Sequence, residues 1–260
     1  MRLGMVTYNM GKDMDLPALI KFCTETGLEG VELRTTHKHG VELELTPQQR
    51  ADVRKQFEAS PVKIAGLGST YEFQSKDPAE VKKNIDGAIQ YAQLAADIGT
   101  TGIKVRPNGI PEGADLAKTL EQIGKSIRQV AVFAEGIGIQ VRMEVHGKVT
   151  SDPKNSRVIL DHADHNNVVA CWNSNPGDMD ANGSIESNFD LLKDKIGHVH
   201  INDIGVYQYP WQDLFARLKG INYEGWCLAE IAYNPEPERF MKYYRTLYDL
   251  YTGNYKWPRK

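Results

Sequence analysis

Three cysteines in 260 residues, at positions 23, 171 and 227, are too few and too irregularly spaced for a disulfide scaffold or a paired-cysteine metal motif. Reduced thiols in a cytoplasm-like compartment are the expectation. Cys171 and Cys227 stand in apolar, strand-like runs and read as small buried hydrophobes. No stretch approaches 18 consecutive apolar residues, and the N-terminus shows neither a long apolar region nor a small-residue cleavage site. The sequence therefore predicts neither a membrane span nor a signal peptide, and a cytoplasmic protein is the default. An excess of one charge is also missing, since 31 basic residues face 34 acidic ones for a formal net of −3. A nucleic-acid-binding surface needs clustered Lys and Arg, so nucleic acid is not an expected partner. The basic C-terminus with Lys256, Arg259 and Lys260 reads as a solvated tail. Gly66-Leu67-Gly68 lacks the third glycine, opening helix and spaced acid of a dinucleotide site, and reads as a strand-end turn.

What is present is an alternation. Short β-rich runs predict strands at 3–8, 30–33, 62–67, 102–105, 139–145, 168–172, 196–201 and 226–231. Between them lie helical stretches. The first carries Leu16, Ile20, Phe22 and Cys23 and closes at Gly27; the second starts after Thr46 with Pro47 in its first turn and runs to about Ser60; the third spans Asp77 to Gly99 with Pro78 at its start. The others cover 115–137, a segment opening at Ser151 or Asp152 before Pro153, 184–193, 210–219 and about 235–251. Eight βα units with no linker or composition break predict one closed (β/α)8 barrel, an α/β domain over residues 1–260.

In such a barrel the C-terminal strand ends converge on one face, so polar residues there share a pocket. Glu144 and Glu230 each end an otherwise apolar strand, where an unpaired carboxylate is costly to bury. A bound cation offsets that cost, and so does pairing with a nearby Lys or Arg such as Arg106. His198 and His200 fall on one side of their strand, two residues apart. Together with two strand-end carboxylates they make a plausible nitrogen and oxygen metal set, with His198 and Asp203 placed to hold a ligand from behind. Lys104 and Arg106 alternate to one face of strand four, suited either to an anionic group of a substrate or to pairing with Glu144 or Glu32; His146 is either a substrate contact or a loop residue.

Gly30-Val31-Glu32-Leu33, Glu144-x-His146, His198-Val-His200-Ile-Asn-Asp203 and Gly225-Trp226-Cys227-Leu228-Ala229-Glu230 resemble the xylose isomerase-like barrels. That superfamily includes sugar and sugar-phosphate isomerases and epimerases, inosose dehydratases and endonuclease IV-type enzymes, and the resemblance spans nearly the whole chain. It implies a divalent ion, Mn²⁺, Mg²⁺, Co²⁺ or Zn²⁺, held by Glu144, a strand-six residue, His200 and Glu230. Strand six departs from the family, which usually has Asp followed by His where this chain reads Cys171-Trp172-Asn173-Ser174-Asn175. Three arrangements are open: Asn173 as a neutral ligand, Asp178 or Asp180 reaching in from the loop, or Asn173 and Asn175 binding substrate hydroxyls.

The resemblance implies a small sugar or keto-sugar as substrate, with Glu144 and Glu230 exchanging a proton next to its carbonyl through a metal-stabilised enediolate. Loss or addition of water or an alkoxide from the same enediolate is the alternative, giving a keto-sugar dehydratase, hydratase or lyase. A metal-free sugar-binding barrel and an endonuclease IV-like nuclease rank lower, the latter because it needs more His and Asp ligands than this chain supplies. Self-assembly into a homo-oligomer is left open.

Overall fold

The computed structural model describes residues 1–205 and 208–256; Arg259 and Lys260 of the basic tail lie outside them. Eight parallel strands close into a barrel in the order β1 to β8, each neighbour in sequence also its neighbour in the sheet, with β8 returning to β1. The strands are β1 (Arg2–Val6), β2 (Gly30–Arg34), β3 (Lys63–Glu72), β4 (Gly102–Arg106), β5 (Gln140–Glu144), β6 (Val168–Trp172), β7 (Ile196–Ile201) and β8 (Trp226–Ala229). The outer helices are α1 (Leu16–Thr26), α2 (Pro47–Glu58), α3 (Pro78–Asp97), α4 (Leu116–Glu135), α5 (Pro153–Ala163), α6 (Glu186–Leu192), α7 (Trp211–Gly220) and α8 (Pro237–Thr252).

Local chemistry sets these boundaries. Asp15, Thr46, Asp77, Asp115 and Asp152 each accept a backbone N–H at the start of a helix, and Thr46 with Gln49 completes a reciprocal capping box. Each such cap contributes about 1 kcal/mol. Gly27 ends α1 in the left-handed conformation, which the missing Cβ permits without strain. The main core lies between strands and helices, while Val6, Ala65, Trp226 and Leu228 form a separate apolar cluster. All three cysteines are buried and unbridged. No helix among the described residues is long and apolar enough to cross a membrane.

One expectation fails instructively. Gly66-Leu67-Gly68 is not a strand-end turn but the middle of β3, which continues to Glu72. A Cβ at Gly68 would lie 2.8 Å from Glu32 Oε1, and one at Gly66 2.7 Å from Arg142 Nη1. The glycines make room inside the barrel for charged side chains from β2 and β5.

Candidate metal centre

Three of the barrel's inward residues place ligand atoms within 4.8 Å of one another: Glu144 at the end of β5, His200 on β7 and Glu230 directly after β8. His200 Nδ1 stands 3.5 Å from Glu144 Oε1 and 3.3 Å from Glu230 Oε2. Glu230 follows the last strand residue, yet its backbone N–H still donates to Ile201 O at 2.9 Å, so the sheet fixes its position.

Behind this group lies a second tier. His198 and His200 point to the same interior side, with ring centroids 5.5 Å apart, and both are buried. Both Nε2 atoms face Glu32 Oε2, His198 at 3.1 Å and His200 at 3.4 Å. Glu32 is fully buried; burial alone would raise its carboxyl, but the charge of His200 and the hydrogen bonds from both imidazoles outweigh that and hold it well below the usual range. Burial, with Arg142 nearby, pushes His198 down to about 3 against the pull of Glu32, so it is a neutral imidazole donating Nε2–H. A carboxylate on the far nitrogen of His200 fixes the ring and turns Nδ1 toward Glu144 and Glu230, the arrangement that orients a ligating histidine.

Lys104 on β4 completes the wall. Its Nζ donates to Glu144 Oε2 at 2.7 Å, and both side chains are only 3% exposed. Burial would lower the ammonium, yet Glu144, Glu32 and Glu230 together raise it; the same ion pair, with His200, holds Glu144 below the ordinary carboxylate range against its own burial.

A divalent ion fits the residues present. His200 Nδ1 is a buried nitrogen with no hydrogen-bond partner, flanked by one oxygen from each of two carboxylates. One imidazole and two carboxylates suit Mn²⁺, Mg²⁺, Co²⁺ or Zn²⁺. A second group of candidate ligands, Cys171, His198 and His200, lies against it and shares His200.

The other expected site residues divide. Asn173 is buried at the end of β6, and its amide makes no hydrogen bond among the described residues, so its oxygen remains open to a ligand role. Asn175 spends its amide N–H on Val145 O at 2.6 Å, tying the β6–α6 loop to β5. His146 is half-buried, and its Nδ1 has no partner. Arg106 pairs with Glu72, which also accepts from Asn108, so it stands in a separate cluster on the β3–β4 side.

Asp203 accepts the Gly205 N–H at 2.9 Å within its own loop; the carboxylate found behind the histidines is Glu32. Asp178 is fully buried, but its Oδ2 accepts from Asn175 N–H and from the Tyr209 hydroxyl, and Tyr209 in turn accepts from Trp172 Nε1. Burial, despite those two donors, pushes its carboxyl up to about 7. Asp180 is exposed and caps the turn to Ser184. Asp180 is thus committed to loop structure, and so is Asp178 through Oδ2, while its buried Oδ1 has no partner. The supporting role of Glu32 had one sequence signal, an acid inside the apolar run Gly30 to Leu33.

A closed eight-stranded barrel with acids and histidines converging at its strand ends defines the class. The family model of the xylose isomerase-like TIM barrels matches residues 20–248, and the chain belongs to that family. No relative of curated function matches its sequence. Among solved structures it is similar to D-psicose 3-epimerase with D-tagatose from Clostridium cellulolyticum H10, at 16% identity and TM-score 0.78, covering 98% of this chain and 96% of that one. It is similar to the IolI protein with a bound zinc atom, at 17% identity and TM-score 0.78, covering 99% and 100%. It is also similar to AsbF, a probable 3-DHS dehydratase from Bacillus anthracis, at 14% identity and TM-score 0.73, covering 96% and 98%. At such identities the likeness establishes the shared fold.

Proposed function

We propose that this chain is a divalent-metal-dependent sugar isomerase or epimerase acting on a small sugar or keto-sugar. The observation that carries the reading is the unpartnered, buried Nδ1 of His200 set between Glu144 and Glu230. An ion held by these three residues, with Asn173 as a candidate fourth oxygen ligand, would polarise a carbonyl and its adjacent hydroxyl as a Lewis acid.

The protein's own groups supply the rest. Glu230 and Glu144 are the carboxylates placed to exchange a proton at the carbon next to that carbonyl, as the C–H electron pair is delocalised into an enediolate. Glu32 and His198 keep His200 fixed while this happens. The charge balance favours the anionic intermediate. Three carboxylates, Glu32, Glu144 and Glu230, act on the Lys104 ammonium, and Glu32 also on the Arg142 guanidinium, leaving one negative charge before His200 or an ion is counted. A divalent cation with neutral His200 would turn this into one positive charge, and protonation of the carboxylate base would add another as the enediolate forms, so the anion would develop in a cationic site. Relatives of this fold described as acting on psicose or tagatose, or as binding zinc, are consistent with the reading. His146 is proposed to meet substrate hydroxyls around the ion.

The test combines metal analysis of protein purified without chelator with NMR of candidate sugars in D₂O. Stoichiometric divalent metal and solvent deuterium in a product of unchanged formula are expected. Glu144→Gln and Glu230→Gln should both lose turnover, and full activity in both variants would sink the assignment. An unsaturated or hydrated product would replace it with the dehydratase or lyase reading.

A further inference from the structure

We propose that Lys104 makes this centre one-sided, so that Glu230 alone takes and returns the substrate proton, on one face. The inference rests on the isomerase reading above and narrows it from isomerase or epimerase to same-face isomerase.

The two carboxylates flanking His200 are not equivalent. Glu144 has both oxygens engaged: Oε2 accepts from Lys104 Nζ at 2.7 Å, and Oε1 faces His200 Nδ1 at 3.5 Å. The ammonium and carboxylate are each 3% exposed, so water does not compete for the contact. The lysine backbone is itself anchored, its carbonyl accepting from Ser69 Oγ at 2.6 Å. Glu230 faces His200 through Oε2 only; its side chain is 16% exposed, and Oε1 has no partner among the described residues. One carboxylate is therefore locked to a cation and the other has a free oxygen.

Inverting a carbon requires a base on one face and a proton donor on the other. For Glu144 to serve either role at Oε2, its contact with Lys104 must break inside a buried wall, where separating a charge pair is strongly unfavourable. Glu230 needs no such change. Its Oε1 takes the proton from the carbon beside the carbonyl; the C–H pair becomes the carbon–carbon double bond, and the carbonyl pair moves onto oxygen. Returning that proton from Glu230 to the neighbouring carbon on the same face, while the hydroxyl proton passes between the two adjacent oxygens, gives an aldose–ketose shift. No co-reactant is consumed. Lys104 is thus a positioning residue that acts through Glu144.

The test uses the Mg²⁺- or Zn²⁺-loaded full chain with D-fructose, D-psicose and D-tagatose in D₂O, read by NMR and by chromatographic separation of epimers. The expected result is deuterium at one of the two C1 hydrogens, an aldose product and no epimer at C3. Epimers formed at a rate comparable to exchange would overturn the proposal while leaving the isomerase or epimerase reading standing. No exchange by metal-loaded protein with any of the three would overturn both. Lys104→Met, which frees Glu144 Oε2, should raise the epimer fraction at least about tenfold, and Lys104→Arg should return the reaction to one face. A Lys104→Met protein that is folded, metal-loaded and still one-sided overturns the role of Lys104. Where that variant does not fold, wild-type stereochemistry decides.

Discussion

The two flanks of the barrel mouth use similar residues to opposite ends. On the β5, β7 and β8 side, Glu144, His200 and Glu230 converge, and His200 Nδ1 is left without a partner. On the β6 side, Ser174 donates to His200 O, Asn175 to Val145 O, and Asp178 Oδ2 accepts from Tyr209 and Asn175, so these groups hold the loop and leave Asp178 Oδ1 as a buried atom without a partner. Both flanks are polar and buried; on the first an open nitrogen lies between two carboxylates, whereas among the described residues the open Asp178 Oδ1 belongs to no cluster of candidate ligands. A buried polar atom with no partner points to a missing ligand, whereas a satisfied one points to architecture. Asn173 belongs by position to the second flank, and its amide makes no hydrogen bond among the described residues.

The sharpest way to break this comparison is Glu230→Gln. If the first flank does the chemistry, the turnover measured by NMR should fall by roughly 10²–10⁴-fold, the range expected of a proton-transfer carboxylate. Lys104→Met comes next. Removing one partner of a buried ion pair costs about 3–5 kcal/mol, so urea unfolding of the metal-free variant should show a loss of that order; saturating divalent ion should shrink it by neutralising the stranded Glu144. A loss independent of metal would place Lys104 in the architecture alone.

Asp178→Asn probes the second flank. The carboxyl of Asp178 is raised from 3.8 to about 7 in the folded chain, so the folded state binds its proton more tightly than the unfolded one. Its stabilisation is complete below about pH 4 and lost as pH rises toward 7, with an upper limit of about 4 kcal/mol. The neutral amide removes that loss. The variant's Tm should exceed wild type at pH 8 by several degrees, with the gap shrinking as pH falls and closing below about pH 4; a pH-independent gap would show that ionisation of Asp178 does not matter. Glu32→Gln should weaken metal affinity by roughly 10–100-fold, the usual effect of removing a carboxylate behind a ligating histidine, as read by competition with a chelating dye. Asn175→Ala should cost about 1 kcal/mol of stability through the lost bond to Val145 O and leave metal affinity unchanged.

How far the sequence reached follows the same division. The eight strands and the trio of Glu144, His200 and Glu230 were legible because an acid or histidine within an apolar strand stands out against a period-two pattern, and barrel closure then brings the ends together. β6 and β7 were read to the residue. The Glu32 contact was not legible: it depends on register across β7, β8, β1 and β2, and residues 32 and 200 meet only once the barrel closes. The glycines of β3 were misread for the same reason, since their explanation is the bulk of side chains on β2 and β5. Asp178 and Asn175 looked like a ligand or substrate contact, and Asp203 like a support behind a ligand, by type and position. The bonds that Asp203, Asp178 and Asn175 make to Gly205, Tyr209 and Val145 are local accidents of loop path, which residue type does not encode.

The ammonium of Lys104 has one more consequence, for the order of events in the cell. Because it already compensates the deepest carboxylate of the trio, the barrel can close without waiting for an ion. An ion held as proposed would then be acquired late and reversibly by a finished scaffold, and could be exchanged to follow supply without unfolding the chain.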